Sequence, residues 1–165
     1  MGAGEMMASM RNGSGDEWFI LFTGEGAIMK GFDHESIMSP RSSDLYDRLP
    51  DQFTSFLGEP AFSLEDATFC IWRRNGDSGW ETGVKDFPPG EDPDGSAWML
   101  DILGAGPVRY QQFAREYYEV ELPLGAIERV YNLEPITEGL VRSLKGSITI
   151  TDIESDIVEI GYPRL

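Results

Sequence analysis

The chain has 165 residues, enough for one domain with its own core, and its 41% apolar and 12% aromatic content excludes a disordered chain. No apolar run reaches the length of roughly eighteen residues that a transmembrane helix needs. Lys and Arg number 13 against 29 Asp and Glu, a formal net charge of −16, which repels nucleic-acid phosphates and anionic lipids and attracts basic proteins. We therefore expect no nucleic acid and no membrane partner.

The N-terminal residues 1–15 are rich in Gly, Ser and Met and lack the apolar segment of a secretory signal. The sequence predicts a flexible lead there, followed by a single α+β domain over residues 16–165. No linker or internal repeat interrupts this domain. The only cysteine, Cys70, excludes an internal disulfide framework and favours a reducing, cytoplasmic location.

Strands are predicted in the N-terminal two-thirds of the chain. The first is a continuous apolar run, typical of a buried strand, and the second pairs back on it across a glycine-containing turn. The third is rich in aromatic and β-branched side chains, and the Asn75-Gly76 turn joins it to the fourth as a hairpin. The five predicted strands cover residues 17–23, 27–32, 67–74, 78–83 and 97–103.

Helices are predicted between the second and third strands and throughout the C-terminal third. The clearest has Tyr110, Phe113, Ala114 and Tyr117 at the spacing of one apolar helix face. The tail is ambiguous between a strand and a helix, and the helix is favoured because Thr151 with Glu154 resembles a capping box. Strands first and helices last predict an α+β fold with a mostly antiparallel sheet of about five strands. The other predicted helices cover residues 41–49, 50–58, 124–131 and 135–144.

The stretch "GFDHES" (31–36) places an aspartate, the only histidine of the chain, a glutamate and a serine side by side. In an extended strand Asp33 and Glu35 would face one side while His34 and Ser36 face the other. Such neighbours cannot chelate one metal ion together, nor can Asp33 orient His34 as in a catalytic triad. If the segment bends, Asp33 can accept a backbone N–H two residues on, as in an ordinary turn. His34 is therefore a candidate general base only if the fold brings it a distant carboxylate.

The sequence carries no complete metal, cofactor or phosphate motif. One histidine and one cysteine cannot supply the four ligands of a structural zinc site, and Cys70 lies in an apolar run typical of a core position. The segment "GEDPDGS" (90–96) matches a calcium-binding loop only in part, and the glycine-containing segments lack the spacing of phosphate-binding loops. We therefore expect no metal ion and no cofactor.

The tryptophans suggest a binding surface. Trp18, Trp72 and Trp98 fall in predicted strands and are expected in the core, whereas Trp80 follows the Asn-Gly turn and precedes an acidic loop. An aromatic side chain ringed by carboxylates is typical of a surface that binds a basic protein, although a Trp packed across its own hairpin gives the same pattern. The predicted partner-binding residues are Asp33, Glu35, Trp80, Glu81, Asp92 and Asp94.

Two sets of segments resemble known proteins. "LPDQFTSFL" (49–57) resembles a Leu-Pro-x-x-aromatic-x-x-Phe-Leu segment of the SMI1/KNR4-like superfamily, α+β proteins that often serve as bacterial toxin-immunity proteins. "KGFDHESIMSP", "DPDGSAWMLDIL" and "EIGYP" are similar to segments of uncharacterised acidic bacterial proteins. The resemblance implies a bacterial, cytoplasmic, immunity-type role and assigns no catalytic residue.

The sequence thus favours an acidic cytoplasmic protein that binds a basic protein partner, in the manner of a toxin-neutralising immunity protein. Binding would begin with electrostatic steering and end with masking of a cationic cleft. The alternative is a small hydrolase that uses His34 as general base. A third possibility is an oligomerisation module without chemistry, favoured by the aromatic-rich strands.

Overall fold

The computed structural model describes residues 4–38 and 44–164. The chain forms two compact units, Met1–Met99 and Leu100–Leu165, where the sequence predicts a single domain. The first unit carries a five-stranded antiparallel sheet and the second is helical, so the predicted α+β fold class is confirmed. Within the described ranges, no helix combines the length and the apolar character that crossing a membrane requires.

The sheet is a meander in which each strand pairs with its neighbour in the sequence, in the order β1-β2-β3-β4-β5. The β2–β3 hairpin confirms the predicted pairing of residues 17–23 with 27–32, and the β4–β5 hairpin confirms the return of the chain at Asn75-Gly76. The strands are β1 Met6–Arg11, β2 Glu17–Thr23, β3 Gly26–Phe32, β4 Phe69–Arg74 and β5 Glu81–Thr82.

The sheet has five strands, as predicted, but β1 takes the place of the strand predicted over residues 97–103. β1 lies within the segment expected to be a flexible lead, and pairs with β2 along its whole length from Met6 opposite Phe22 to Arg11 opposite Glu17. Its short run of methionine and alanine lacks the β-branched residues by which strands are recognised, so only pairing with β2 defines it.

The predicted strand over residues 97–103 is wrong, because these residues form helix α1 (Ser96–Gly104). The carboxylate of Asp92 accepts the backbone N–H groups of Ala97 and Trp98, and that of Asp94 accepts the N–H of Ser96. These are the N–H groups that a helix start leaves without partners, so two aspartates stabilise the helix here. Trp98 is consequently half-exposed instead of lying in a core strand.

The core of the first unit lies on one face of the sheet. Phe19, Leu21 and Trp72 contribute from the strands, and Phe53 and Phe56 from the 3₁₀ helix Asp51–Gly58, which follows the predicted helix over 50–58. The ring of Phe62, from a second 3₁₀ helix (Pro60–Phe62), stacks on Phe56 with centroids 4.6 Å apart. Trp18 and Trp72 are buried as predicted.

Two other predicted features of the first unit can be compared with the structure. The predicted helix over 41–49 lies partly outside the described residues, and residues 44–48 form turns, with Leu45 fully buried. Cys70 is fully buried in the core, as expected, and burial raises the pKa of its thiol to about 12. A thiol in that state is neither a nucleophile nor a partner for His34.

The second unit is helical, as predicted. Thr137 caps α4 by accepting the N–H of Leu140, and Pro107 lies in the first turn of α2. The predicted tail helix is present over Glu154–Glu159, but Thr151 and Glu154 form no capping box. The capping box of this region joins Thr149 with Asp152 and begins the preceding 3₁₀ helix, Ile150–Ile153. The helices after α1 are α2 Gly106–Tyr117, α3 Leu124–Tyr131, α4 Glu138–Leu144, the 3₁₀ turn Ile150–Ile153 and α5 Glu154–Glu159.

Candidate functional site

His34 receives a carboxylate from a distant segment, the condition that the sequence set for any catalytic role. Its ring Nδ1 lies 2.6 Å from Oδ1 of Asp16, and its backbone N–H donates to the same oxygen at 3.0 Å. Asp16 directly precedes β2, and the antiparallel register pairs Glu17 with Phe32 at the end of β3. The residues just beyond that pair are therefore brought together by the β2–β3 hairpin.

The Asp16 carboxylate is fixed by the turn that joins β1 to β2. Nδ2 of Asn12 donates to Oδ2 of Asp16 at 2.6 Å, while Oδ1 of Asn12 accepts the backbone N–H groups of Ser14 and Asp16. Asp16 is only 3% exposed, whereas the side chain of His34 is 42% exposed. A buried, immobilised carboxylate thus orients an imidazole that is itself partly exposed.

The contact between Asp16 and His34 shifts the pKa of each group in the direction that favours its charged form. The hydrogen bond to Asp16 raises the pKa of His34, with partial opposition from burial. Burial on its own would raise the pKa of Asp16, but the hydrogen bonds from His34 and Asn12 together lower it. The ordinary state of the pair near neutral pH is therefore an aspartate beside a histidine that holds its proton more tightly than usual.

Replacing Asp16 with asparagine is expected to lower the pKa of His34 toward its ordinary value of 6.5, because the main cause of the increase is removed. Since the folded pKa lies above the unfolded one, protonated His34 stabilises the fold fully below pH 6.5, and this contribution disappears as pH rises through the folded pKa. The imidazole proton shifts report the pKa directly, because the chain has one histidine.

A matched control for this titration is Glu35→Gln. Oε1 of Glu35 lies 3.9 Å from Nε2 of His34 and is exposed, so its charge is screened and the pKa should change less than in Asp16→Asn. An unchanged His34 pKa in Asp16→Asn would contradict the assignment of Asp16 as its partner.

Asp33 stabilises the turn after β3 instead of facing outward. The backbone N–H of Ser36 donates to the carbonyl of Asp33, and Oδ1 of Asp33 accepts the N–H of Glu35 at 2.9 Å, the turn role that the sequence anticipates for a bend. Its Oδ2 accepts from Nε1 of Trp98 at 3.1 Å. The buried Asp33 therefore holds the turn against the start of α1.

Three further hydrogen bonds join the start of α1 and the turn, two of them through Thr68. The hydroxyl of Thr68 accepts from the backbone N–H of Asp33 and donates to the carbonyl of Asp94 at 2.7 Å. The hydroxyl of Ser36 donates to the carbonyl of Pro93 at 2.8 Å. The "GFDHES" and "DPDGS" segments, distant in sequence, thus form one polar network.

One oxygen from each of Asp16 and Asp33 and a ring nitrogen of His34 lie within 4.8 Å of one another, a set that could hold a metal ion. The donor chemistry fits poorly, because both oxygens of each carboxylate already accept protein N–H groups and Nδ1 of His34 lies against Asp16. A metal ion would have to break these hydrogen bonds, so the arrangement suits proton transfer and turn stabilisation better than metal coordination.

Three of the predicted partner-binding acids, Asp33, Asp92 and Asp94, have carboxylates that hold the fold together. Asp33 and Asp94 are buried, and Asp92 accepts two N–H groups of α1. Burial raises the pKa of Asp94, with the hydrogen bonds from Ser96 opposing and the nearby Asp92 adding to the increase. A side chain that is buried and hydrogen-bonded inward cannot contact a partner directly.

The other predicted partner-binding residues remain accessible. Glu35 and Glu81 are exposed and Trp80 is 45% exposed, so its ring does not pack fully across its own hairpin. Glu81 is partly occupied within the hairpin, where Oε1 lies 3.3 Å from Nη2 of Arg74 and Oε2 accepts from Nε1 of Trp72. Phe87, in the loop that follows, is also 45% exposed and was missed by sequence reasoning.

Sequence reasoning also missed Asp16, Asn12 and Thr68. Asn12 and Asp16 lie in "NGSGD", a turn signal that could have suggested a hairpin if β1 had been recognised as a strand. Thr68 gave no signal beyond its place before β4. Comparisons with protein-family models, curated proteins and solved structures find no match to this chain.

Proposed function

We propose that this chain is an acidic cytoplasmic protein that binds a basic protein partner and acts as a toxin-neutralising immunity protein. The observation that carries the proposal is the surplus of carboxylates over cations. The ion pairs are internal, such as Arg74 with Asp77 and Arg129 with Glu134, and 29 carboxylates face only 13 basic side chains. The remaining negative charge has no counterpart in the chain and is available to steer a cationic partner.

The stretch from Trp80 through β5 to the start of α1 is the surface that supports the proposal best in the first unit. Along this stretch the exposed aromatic side chains are Trp80 and Phe87, and the exposed carboxylates are Glu81, Asp86 and Glu91. Accessible aromatic side chains provide the anchors on which protein interfaces depend, and surrounding charges mainly set the association rate. Asp92 and Asp94 contribute by holding the end of this segment on α1.

The test compares the proteins captured from a native cell lysate by the wild type, by Trp80→Ala and by the double variant Asp86→Lys/Glu91→Lys. We expect one basic protein to be retained by the wild type and released by rising salt. With that protein purified, Trp80→Ala should raise the dissociation rate by about tenfold or more, and the double charge reversal should lower the association rate at low salt and flatten its salt dependence.

The matched control is Asp156→Lys/Glu159→Lys, which makes the same charge change on exposed residues of α5. If both double variants slow association equally, net charge alone attracts the partner and the segment before α1 is not the interface. If neither Trp80→Ala nor the charge reversal changes binding, the proposed surface is wrong.

A second candidate function, a small hydrolase, is favoured by the contact between Asp16 and His34. With Nδ1 held by a buried carboxylate and the side chain 42% exposed, Nε2 of neutral His34 is the position from which a general base would act on water. With p-nitrophenyl esters as probes, His34→Ala should lower the rate about 100-fold or more, and the rate should rise with pH through the His34 pKa measured by NMR. Full activity in His34→Ala would exclude this function.

A further inference from the structure

The helical unit contains an open groove between α2, α3 and α4, with a volume of about 780 Å³. This volume falls within the range of roughly 300–1,000 Å³ that is typical of small-molecule sites, and the wall is mainly aliphatic and aromatic. Every lining residue belongs to the same unit. These residues are Tyr110, Tyr118, Val120, Leu122, Ile127, Val130, Tyr131, Leu144 and Lys145.

Lys145 is the one charged residue among those lining the groove. Its backbone N–H ends α4 by donating to the carbonyl of Val141, which fixes the Cα at the groove. Most of the described basic side chains have an acidic or carbonyl partner, whereas the Lys145 ammonium has no hydrogen bond or ion pair with any residue of 4–38 or 44–164. Lys145 thus places an ammonium without an internal partner next to an apolar surface.

Three tyrosines add further donors to the same groove. The rings of Tyr110 and Tyr131 are 6.4 Å apart, and burial raises the pKa of Tyr110, with Tyr118 and Tyr131 close enough to add to the increase. Their three hydroxyls have no hydrogen-bond partner among the described residues. An apolar wall with one ammonium and several unoccupied O–H donors matches the two parts of an amphiphilic anion.

We propose that this groove binds a small amphiphilic carboxylate, with the apolar body against Leu122, Ile127 and Val130 and the carboxylate on Lys145. The proposal goes beyond the binding of a basic protein and does not depend on it. The negative net charge disfavours anions at long range, but at 0.1 M salt charges more than about 10 Å apart are largely screened. The contacts within the groove then determine which head group binds.

Three probes with the same ten-carbon chain separate the head groups: decanoate, decanol and decyltrimethylammonium. Titration calorimetry at 0.15 M salt, below the micelle concentrations, should give saturable binding of decanoate to one site per chain. Its dissociation constant should be at least about tenfold lower than that of decanol, the effect of one charge-assisted hydrogen bond. Lys145→Gln should remove this difference and leave the affinity for decanol unchanged.

Two further variants keep the result interpretable. Lys85→Gln removes another exposed lysine, in the other unit, and should change no affinity. Val130→Trp narrows the groove and should abolish the binding of decanoate and decanol alike, with the helix content checked by circular dichroism. Equal affinities for decanoate and decanol, an unchanged affinity in Lys145→Gln, or tightest binding of decyltrimethylammonium would each overturn the proposal, the last by showing that the nearby Glu119 and Glu121 select a cation.

Discussion

Replacing Glu17 with alanine is expected to lower the free energy of unfolding by about 3–5 kcal/mol, because it leaves a buried ammonium without its counter-ion. Lys30 lies in the middle of β3 with its side chain fully buried. Its Nζ donates to Oε1 of Glu17 at 3.0 Å and to the carbonyls of Ser63 and Asp66 at 3.1 and 2.9 Å. The two carbonyls accept hydrogen bonds from the Lys30 ammonium, but of its three acceptors only the Glu17 carboxylate carries a full negative charge.

The measurement is urea unfolding at pH 7, with Arg11→Ala as the matched control. Arg11 pairs with the other oxygen of Glu17 at 3.0 Å, but its side chain is 65% exposed, so its removal should cost about 1 kcal/mol or less. Adding Lys30→Met to Glu17→Ala should recover part of the loss, since methionine fills a similar volume without a charge. A loss in Glu17→Ala no larger than in Arg11→Ala would mean that the carbonyls and water are sufficient for Lys30.

Replacing Gly95 with alanine is expected to destabilise the chain by roughly 2–5 kcal/mol and to disrupt the turn that carries His34. Two effects add. The φ angle of Gly95 is +76°, in the left-handed region where a side chain introduces strain, and a Cβ there would lie 2.2 Å from Oδ2 of Asp33. Asp33 would have to move, and its hydrogen bond with Trp98 would be lost.

The free energy of unfolding and the indole N–H resonance of Trp98 test this expectation together. Gly79→Ala is the matched control, because a Cβ at Gly79 has no atom within 4 Å and the position is not left-handed. It should leave both measurements nearly unchanged. A Gly95→Ala variant with wild-type stability and an unshifted Trp98 resonance would show that the turn can move away at little cost.

The sequence could predict the elements whose signals are local. The apolar run of β2, the Asn75-Gly76 turn and the apolar face of α2 are visible within a few residues, and all three are present in the structure. β1 was missed because its side chains carry no strand signal. The strand predicted over 97–103 is wrong because Asp92 and Asp94, in a segment whose Pro, Gly and Asp content predicts a loop, cap the start of helix α1.

For the candidate site, the sequence could predict only that His34 needs a carboxylate from a distant segment. Strand geometry indicated that His34 needed a carboxylate from elsewhere, but the identity of that carboxylate depends on the β2–β3 register, which places Asp16 beside the turn. The inward role of Asp33 likewise depends on Thr68 and Trp98, which are distant from it in the sequence. Contacts of this kind are set by tertiary packing and leave no trace in local spacing.

The meander has a consequence for the order of folding. Short turns link β1, β2 and β3, whereas β4 is reached only after the long connection from Asp33 to Thr68, whose closure carries an entropic cost that grows with its length. This connection also supplies Phe53 and Phe56 to the core. The pairing of β4 with β3 and the packing of the core should therefore occur together. We therefore expect pulse-labelling hydrogen exchange to show protection of Ile20 and Met29 before Thr68, with the polar network around His34 completed last.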